Sequence, residues 1–371
     1  CHHTKISFPI MGHFHTENEM MSTEEFLQAQ TELYHISLAY VKSVALRAAI
    51  DLKIPEAIHR CGGTATLSDI AAKTGVHGTK VSHLARLMRV LSMSGVFSTD
   101  SSCNDGAAAV YYKLTHVSRL LVAPLAPIVP VLVDPLAATA LFSVAEWFTD
   151  DKKQASELTL FEVAHGCSRS EMTAKKGTGS MFNAGMVADS RALTDILLNE
   201  HGDMFEGVGS LVDIGGGHGG VAAAIAEALP HIKCMVLDLP HVIKEVATAT
   251  GTGNVQFVAG DAFQYIPPAD VVLLKWVLQL WDDQDALKVL RQCKEAIPAN
   301  GKVIIFDVVV GSNCEDVPTR ETQLLFDIFM MRVGGCERRE QQWRKIIFEA
   351  GFTDYKISVV LGFRSIIEVY P

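Results

Sequence analysis

The middle of the chain contains a segment with the residue types of a ligand-binding turn. Leu211-Val212-Asp213-Ile214 is a short apolar run that leads directly into Gly215-Gly216-Gly217-His218-Gly219-Gly220, and a helical stretch, Val221 to Leu229, follows. Glycine permits a tight turn and a close approach of the backbone to a ligand, and the helix N-terminus supplies free N–H groups. The pattern predicts a strand, a binding turn and a helix.

Two acidic residues follow this turn at the ends of the next apolar segments. Asp238 ends the second predicted strand, Ile232 to Leu237, and lies about 20 residues past the glycines, the usual distance for a carboxylate that binds ribose hydroxyls. The third predicted strand, Val255 to Ala259, leads into Gly260-Asp261. Two such acids suit a nucleoside, one for the ribose and one for the adenine amino group.

The spacing of the glycines leaves a second class of ligand open. Gly215, Gly217 and Gly220 satisfy the G-x-G-x-x-G pattern of dinucleotide-binding proteins, so an NAD-dependent oxidoreductase is an alternative. The segments after the third strand carry aromatic and acidic residues rather than a second dinucleotide-binding half, which favours a single nucleoside.

Composition limits the domain count and the classes of partner. The 371 residues suffice for roughly two domains of about 150 residues. The net charge of −10 argues against a nucleic acid as the main partner, because phosphate binding requires a basic surface. Eight scattered cysteines without a CxxC pair suit free thiols in a reducing compartment, and without a targeting signal we expect a cytoplasmic protein.

Two further stretches, an apolar run and the N-terminal residues, are not expected to contribute to the fold as a membrane span or a domain. The apolar run from Leu120 to Leu141 contains four prolines and Asp134, so we expect no membrane span. Residues 1–20 begin with Cys1 rather than Met and are expected to form a disordered tail or leader, although their cysteine and histidines could bind a metal.

Residues 21–125 predict a winged-helix-like dimerisation domain. A helical pattern from Thr23 to Leu52 and a short helix at Pro55 precede two helices joined by Gly75, the second from Thr79 to Ser94. Two short strands follow, Val96-Phe97 and Tyr111 to Leu114. DNA binding is an alternative use of this fold, through the four basic residues of the second helix, Lys80, His83, Arg86 and Arg89.

Residues 126–371 predict connecting helices followed by a catalytic domain. From Ser210 onward, strand-like and helix-like segments alternate, which is typical of a parallel α/β sheet. The predicted fold is therefore a Rossmann-like α/β domain preceded by an all-α, winged-helix domain.

Several motifs resemble the plant small-molecule O-methyltransferases of the caffeic acid and flavonoid type. They are Leu211 to Gly217, Asp238-Leu239-Pro240-His241-Val242, Gly260-Asp261-Ala262-Phe263, Leu274-Lys275-Trp276 and Gly301 to Ile305. Arg364 to Pro371 and Phe161 to Cys167 resemble a grass subgroup of that family. The resemblance extends from about Met20 to the end of the chain.

The resemblance implies a homodimer that binds S-adenosylmethionine and a small aromatic substrate and uses no metal. The N-terminal domain would contribute to the partner subunit's active site. The implied cofactor contacts are Gly215, Gly217, Asp238, Asp261, Ala262, Phe263 and Lys275, and the implied substrate contacts are Phe182, Met186, Trp276 and Met330.

One position departs from the family pattern. In the family, a histidine after the Leu-Lys-Trp segment removes the proton from the substrate hydroxyl, and two acidic residues hold its ring. Here Gln279 occupies that position, while the supporting acids remain as Asp307 and Glu337. Glutamine cannot accept a proton near pH 7, and general base catalysis is worth about 10²- to 10⁴-fold.

Four interpretations of Gln279 are compatible with the sequence. The protein could be an O-methyltransferase that relies on proximity. It could instead methylate an acceptor that needs no base, as an N-methyltransferase acting on an aromatic amine or ring nitrogen, or as an enzyme acting on an ionised acid. His165 could supply the missing base. The chain could also be a low-turnover ligand-binding paralogue. The surviving acids and pocket motifs favour O-methylation of a hydroxyl on a small indole or phenol.

Overall fold

A computed structural model gives the fold, and it describes residues 21–104, 107–149, 158–247, 254–312 and 316–371. The expected tail with its cysteine and histidines, and part of the segment between the two N-terminal strands, lie outside the described residues. The chain divides into two compact units, Cys1–Val117 and Ser118–Pro371.

Within its described residues, the first unit is built from five helices and a three-stranded antiparallel sheet of order β1-β3-β2. The helices are α1 (Thr23–Ser37), α2 (Ala39–Asp51), α3 (Ile54–Arg60), α4 (Leu67–Thr74) and α5 (Val81–Met93); the strands are β1 (Thr64–Thr66), β2 (Phe97–Asn104) and β3 (Ala107–Leu114).

Capping residues account for the predicted helix pair of the first unit. The Thr66 hydroxyl accepts a hydrogen bond from the Asp69 amide, and the Asp69 carboxylate accepts from the Thr66 amide, so α4 begins with a capping box. Gly75 ends α4 in the left-handed conformation with φ +70°. Helix, turn, helix and ribbon therefore follow in the predicted order, with strands longer than predicted.

The first helical segment differs from the prediction. The continuous helix expected from Thr23 to Leu52 is divided at Leu38 into α1 and α2. No residue of α1 is buried, and the exposed apolar side chains of the two helices include Leu33, Tyr34 and Val41. Such an apolar surface is typical of a protein–protein interface.

The second unit begins with connecting helices, as predicted. They are α6 (His116–Val122), which crosses the division, α7 (Val129–Leu132), α8 (Pro135–Phe142), α9 (Val144–Thr149), α10 (Leu160–His165), α11 (Arg169–Lys176) and α12 (Gly179–His201).

One described stretch in this region, Ala126–Thr149, is long and apolar enough to cross a membrane by length and composition alone. The structure divides it into a 3₁₀ turn and the short helices α7, α8 and α9. The helical pattern stops at Val133, and Asp134 caps the next helix through the Leu136 amide. A membrane-spanning helix needs about 20 continuous residues, which these short helices do not provide.

The catalytic unit is a seven-stranded sheet of order β11-β12-β8-β7-β4-β5-β6, with a short parallel pair β9-β10 beside it. Its strands are β4 (Ser210–Ile214), β5 (Lys233–Asp238), β6 (Val255–Ala259), β7 (Val271–Lys275), β8 (Lys302–Asp307), β9 (Val309–Val310), β10 (Arg338–Arg339), β11 (Asp354–Leu361) and β12 (Arg364–Tyr370). The helices are α13 (Gly220–Ala228), α14 (Pro240–Ala247), α15 (Asp283–Ala296), α16 (Val317–Met331) and α17 (Glu340–Glu349).

The central strands β4 to β8 pair in parallel, as predicted for an α/β sheet. Alternate side chains of β8 enter two separate cores, with Val303 and Ile305 on one face and Ile304 and Phe306 on the other. The last two strands differ from the prediction because Gly362-Phe363 joins β11 to β12 directly. A connection this short permits only antiparallel pairing.

Candidate active site

The glycine turn lies at the carboxyl end of β4, between that strand and α13. Gly215, Gly217 and Gly219 have φ values of +63°, +56° and +76°, which side-chain-bearing residues rarely adopt. A Cβ atom at Gly216 would lie 2.5 Å from an Asp213 carboxylate oxygen, whereas one at Gly217 would meet nothing within 4 Å. The turn therefore needs glycine for its own geometry and leaves open space above Gly217.

Asp238, the last residue of β5, and Asp261, which follows β6, stand beside this turn, as their positions in the sequence predict. The two Asp238 oxygens accept hydrogen bonds from the amides of Gly217 at 2.9 Å and Leu239 at 2.7 Å, which fixes the carboxylate against the turn. Asp261 accepts from the Phe263 amide at 3.0 Å. Each carboxylate oxygen has a further lone pair available for a ligand hydroxyl or amino group. These carboxylate oxygens and the open space suit an adenosine, whose ribose hydroxyls and amino group can donate hydrogen bonds.

One cavity of about 640 Å³ extends from the glycine turn to a group of aromatic and aliphatic side chains. All predicted cofactor contacts line it, namely Gly215, Gly217, Asp238, Asp261, Ala262, Phe263 and Lys275, and so do all predicted substrate contacts, Phe182, Met186, Trp276 and Met330. The structure therefore brings together residues from segments about 150 positions apart in the sequence.

Gln279 lies in this cavity wall, on a single 3₁₀ turn after β7, with only 4% of its surface exposed. The amide orientation that satisfies its surroundings places Nε2 2.6 Å from Glu337 Oε1 and 3.3 Å from Asp307 Oδ1. The glutamine thus donates to both acids that the family resemblance assigns to the support of a histidine. Asp307 and Glu337 themselves are not among the residues that line the cavity.

Burial governs the charge of these two acids. Burial raises the pKa of Asp307, although the charges of Arg338 and Lys275 oppose it. Burial, followed by the charge of Asp307, raises the pKa of Glu337. The pair therefore retains a proton at a pH where free carboxyl groups have lost theirs.

The backbone around Gln279 is held by a buried arginine. Arg338 is fully buried, and its guanidinium donates to the carbonyls of Leu278 at 2.9 Å and Trp281 at 2.7 Å. The Cys336 amide donates to the Gln279 carbonyl at 2.9 Å. These bonds use main-chain oxygens only, so the position of residue 279 does not depend on its side chain.

Lys275 has a different environment from the one expected of a cofactor contact. It lines the cavity, but its ammonium group lies 2.7 Å from Asp189, which also accepts a hydrogen bond from Arg364 at 2.6 Å. The two cations face the Trp276 ring at 4.1 and 4.4 Å from its centre. Trp276 has φ +57°, a strained conformation for a side-chain-bearing residue and one typical of functional sites.

Several residues of the site were not predicted from the sequence. Asn183 on α12 bonds the His218 ring at 2.9 Å, and both line the cavity, as do Phe326 and Phe329 on α16. Helical spacing could have indicated Asp189, which lies three positions after Met186. The same spacing could have indicated Phe326, which lies four positions before Met330 on α16.

His165 does not reach the cavity. Its Nε2 donates to the Leu136 carbonyl at 2.9 Å, and its ring packs against Phe161 with centres 4.4 Å apart. His165 is absent from the residues that line the cavity. The interpretation of His165 as the missing base is therefore not supported.

Comparisons with known proteins identify both parts of the chain. Residues 142–353 match the family model of the O-methyltransferase domain, and residues 34–124 match that of the O-methyltransferase dimerisation domain. The chain is 55% identical to acetylserotonin O-methyltransferase 1 of Oryza sativa subsp. japonica, over 96% of this chain and 98% of the relative. It is 47% identical to 5-pentadecatrienyl resorcinol O-methyltransferase of Sorghum bicolor, over 94% and 98%.

Solved structures of other methyltransferases share the fold. The crystal structure of CalO1, a methyltransferase of calicheamicin biosynthesis in its SAH-bound form, superposes with a TM-score of 0.76 at 25% identity, over 95% of this chain and all of that one. The NAD-dependent alternative is therefore wrong, and S-adenosylmethionine is the cofactor that the glycine turn and its two acids fit. The chain belongs to the plant family of S-adenosylmethionine-dependent O-methyltransferases with an N-terminal dimerisation domain.

Proposed function

We propose that this enzyme methylates the hydroxyl group of a small aromatic acceptor such as N-acetylserotonin or a related indole or phenol. The observation that carries the proposal is the position of Gln279, which is hydrogen-bonded to Glu337 and Asp307 in the wall of a cavity that several aromatic side chains also line. The relatives named for acetylserotonin support the acceptor class.

One end of the cavity would bind the cofactor and the other end would bind the aromatic substrate. Asp238 and Asp261 would hold the ribose and adenine of S-adenosylmethionine, which supplies an electrophilic methyl group when bound. Phe182, Met186 and Met330 would enclose the acceptor ring and exclude water. Placing the two reactants in contact is itself a large part of catalysis of this displacement.

Gln279 would orient the hydroxyl without removing its proton. Its Nε2 donates to the two acids. Oε1 is therefore the atom that can accept a hydrogen bond from the hydroxyl group of the aromatic substrate. A phenol of pKa about 10 is ionised to about one part in a thousand at pH 7, and the proton must leave to water. The reaction is therefore expected to be slow near neutrality.

The test compares the pH dependence of kcat/KM of the wild-type enzyme with that of Gln279→His. We expect kcat/KM of the wild-type enzyme for N-acetylserotonin to rise about tenfold per pH unit towards the acceptor pKa. We expect Gln279→His to be faster at pH 7 by about 10²- to 10⁴-fold and to level off near the histidine pKa, because imidazole is a general base. Gln284→His makes the same change at an exposed position outside the cavity and serves as the control.

A Gln279→His enzyme no faster than the wild type would show that a missing base does not limit the rate. Turnover of aromatic amines in preference to every hydroxyl tested would favour the N-methyltransferase interpretation, which needs no base. Binding of acceptors without turnover of either class would favour the ligand-binding paralogue.

The enzyme is also proposed to be a homodimer and to act in the cytoplasm. Residues 34–124 match a dimerisation domain, and the exposed apolar side chains of α1 and α2 supply the surface for a homodimer. A cytoplasmic location is supported by the free thiols of Cys61, Cys167, Cys234, Cys293 and Cys336. The proposal includes neither a nucleic acid nor a membrane as a partner.

A further inference from the structure

Two arginines line the cavity beside the aromatic side chains of Phe182 and Phe329, at the end proposed to hold the aromatic substrate. Arg169 is the first residue of α11, and Arg332 follows the last turn of α16. Both line the same cavity as Gln279 and Trp276, and Arg332 is only 3% exposed. Cations this close to an apolar aromatic pocket need a partner of opposite charge.

The described residues do not fully supply that partner. The Arg332 guanidinium stacks 3.5 Å from the centre of the Phe329 ring and donates through Nη1 to the Phe329 carbonyl. Its Nε is buried and has no hydrogen-bond partner in the part of the chain that the structure describes. The Arg169 guanidinium lies 4.6 Å from the centre of the Phe182 ring, another wall of the cavity.

The charge balance of this pair is positive. Burial and, after it, the charge of Arg169 lower the pKa of Arg332 to about 9, against the opposing charge of Asp134. Asp134 is the only acid with this opposing effect on both arginines among the described residues. Its carboxylate also caps α8 through the Leu136 amide. Two guanidinium groups thus share one carboxylate.

The ion cluster around Asp189 shows what a fully paired arrangement looks like in the same unit. There, Lys275 and Arg364 each contact a carboxylate oxygen within 2.7 Å. No described carboxylate stands within salt-bridge distance of Arg169 or Arg332, although both line a cavity large enough for a ligand. This contrast indicates that the missing negative charge arrives with the ligand.

We propose that Arg169 and Arg332 form an anion site that binds a carboxylate on the acceptor, so that the preferred substrates are aromatic hydroxy acids rather than neutral phenols. The inference rests on the proposed function, because it places the acceptor ring between these arginines and Gln279. Guanidinium groups match carboxylates in a planar, bidentate geometry, which gives orientation as well as affinity.

The experiment measures binding and turnover separately. Calorimetry on the protein saturated with S-adenosylhomocysteine compares indole-3-acetate with the neutral indole-3-acetamide, neither of which has a hydroxyl to methylate. A methyl-transfer assay compares 5-hydroxyindole-3-acetate with N-acetylserotonin. We expect the carboxylate of each pair to be favoured by about tenfold or more in Kd and in KM, since hydrogen bonds to charged groups are the strong ones.

Two variants and one control assign the effect to the arginines. Arg332→Gln and Arg169→Gln should each weaken indole-3-acetate binding by about 10- to 100-fold and change indole-3-acetamide binding less than about threefold. Arg320→Gln removes an exposed arginine from α16 outside the cavity and should change neither. Arg169 is partly exposed, so its variant provides the test if Arg332→Gln does not fold.

The outcomes separate the two proposals. Arginine-dependent binding of indole-3-acetate without methylation of any hydroxyl leaves the anion site standing and removes the proposed function. Methylation of N-acetylserotonin with equal binding of the acid and the amide leaves the proposed function standing and overturns the anion site. Equal loss of both ligands in the arginine variants also overturns it, because a structural role alone would explain that result.

Discussion

The two ends of the cavity are built from different kinds of structure. The nucleoside end, formed by Gly215, Gly217, Asp238 and Asp261, comes from the carboxyl ends of adjacent parallel strands, and main-chain amides fix its acids. The acceptor end draws its side chains from α11, α12, α16 and the turn after β7.

This difference separates what the fold requires from what the substrate requires. Main-chain geometry at the nucleoside end leaves little freedom for change, since the turn itself needs glycine. At the acceptor end, side chains on separate helices can be exchanged with less effect on the backbone. We therefore expect substitutions at the two ends to affect different measurements, namely cofactor affinity and stability. Four experiments test this expectation.

The largest effect is expected at Asp189, which pairs with the two cations that face the Trp276 ring. Asp189→Ala leaves Lys275 and Arg364 buried without their carboxylate, so the free energy of unfolding should fall by about 3–5 kcal/mol in urea titrations. Asp195→Ala changes an exposed acid on the same helix and should cost less than about 0.5 kcal/mol. Equal stability of the two variants would contradict a structural role for this ion cluster.

At the nucleoside end, Asp238→Ala should weaken S-adenosylmethionine binding by about 10- to 100-fold, because it removes charged hydrogen-bond acceptors for the ribose. Calorimetry measures the dissociation constant, and Asp203→Ala, an exposed acid outside the cavity, is the control. An unchanged constant in Asp238→Ala would remove this residue from the cofactor site.

The glycine turn allows a matched pair of variants. Gly217→Ala and Gly207→Ala both place a methyl group at positive φ with nothing within 4 Å, so each should cost about 1–2 kcal/mol of stability. Only Gly217 lines the cavity, and only its variant should lose cofactor affinity, by about tenfold or more. Loss of affinity in both variants would attribute the effect to backbone strain instead of contact with the ligand.

The fourth experiment concerns the pH dependence of stability, which Asp307 and Glu337 control. Because the pKa values of Asp307 and Glu337 are raised in the folded protein, it retains protons that the unfolded chain loses above about pH 4. The stability present below that pH is lost as the pH rises through the raised values, by up to about 1.4 kcal/mol per pH unit for each extra proton.

Asp307→Asn should flatten this dependence in unfolding titrations between pH 6 and pH 8, because it removes one titrating group and its repulsion of Glu337. Asp203→Asn, at an exposed position, should leave the slope unchanged. A slope in Asp307→Asn equal to that of the wild type would show that this pair ionises as ordinary carboxyl groups do.

The same contrast explains how much the sequence alone could predict. The strands, the glycine turn and both acids were predicted because each signal lies within a short segment, and the parallel central strands confirmed the fold. The antiparallel β11 and β12 were missed because their short hairpin changes the direction of pairing. Likewise, the division of the first helix at Leu38 had no proline or glycine to indicate it.

The acceptor end was predicted only where the family resemblance supplied residues. Phe182, Met186, Trp276 and Met330 line the cavity, and their substrate roles stay predictions. Arg169 and Arg332 carry no local signal, because what distinguishes them is burial next to residues far away in the sequence. The pairing of Lys275 with Asp189 likewise depends on tertiary contacts.

The main-chain bonds that Arg338 makes around residue 279 have a consequence for how such enzymes diverge. Since Leu278 and Trp281 are held through their carbonyls, the side chain between them can be replaced while the loop keeps its shape. Glutamine and histidine codons differ by a single nucleotide. One mutation in a duplicated gene could therefore exchange a proton-accepting enzyme for one that depends on the acidity of its substrate, with no intermediate that fails to fold.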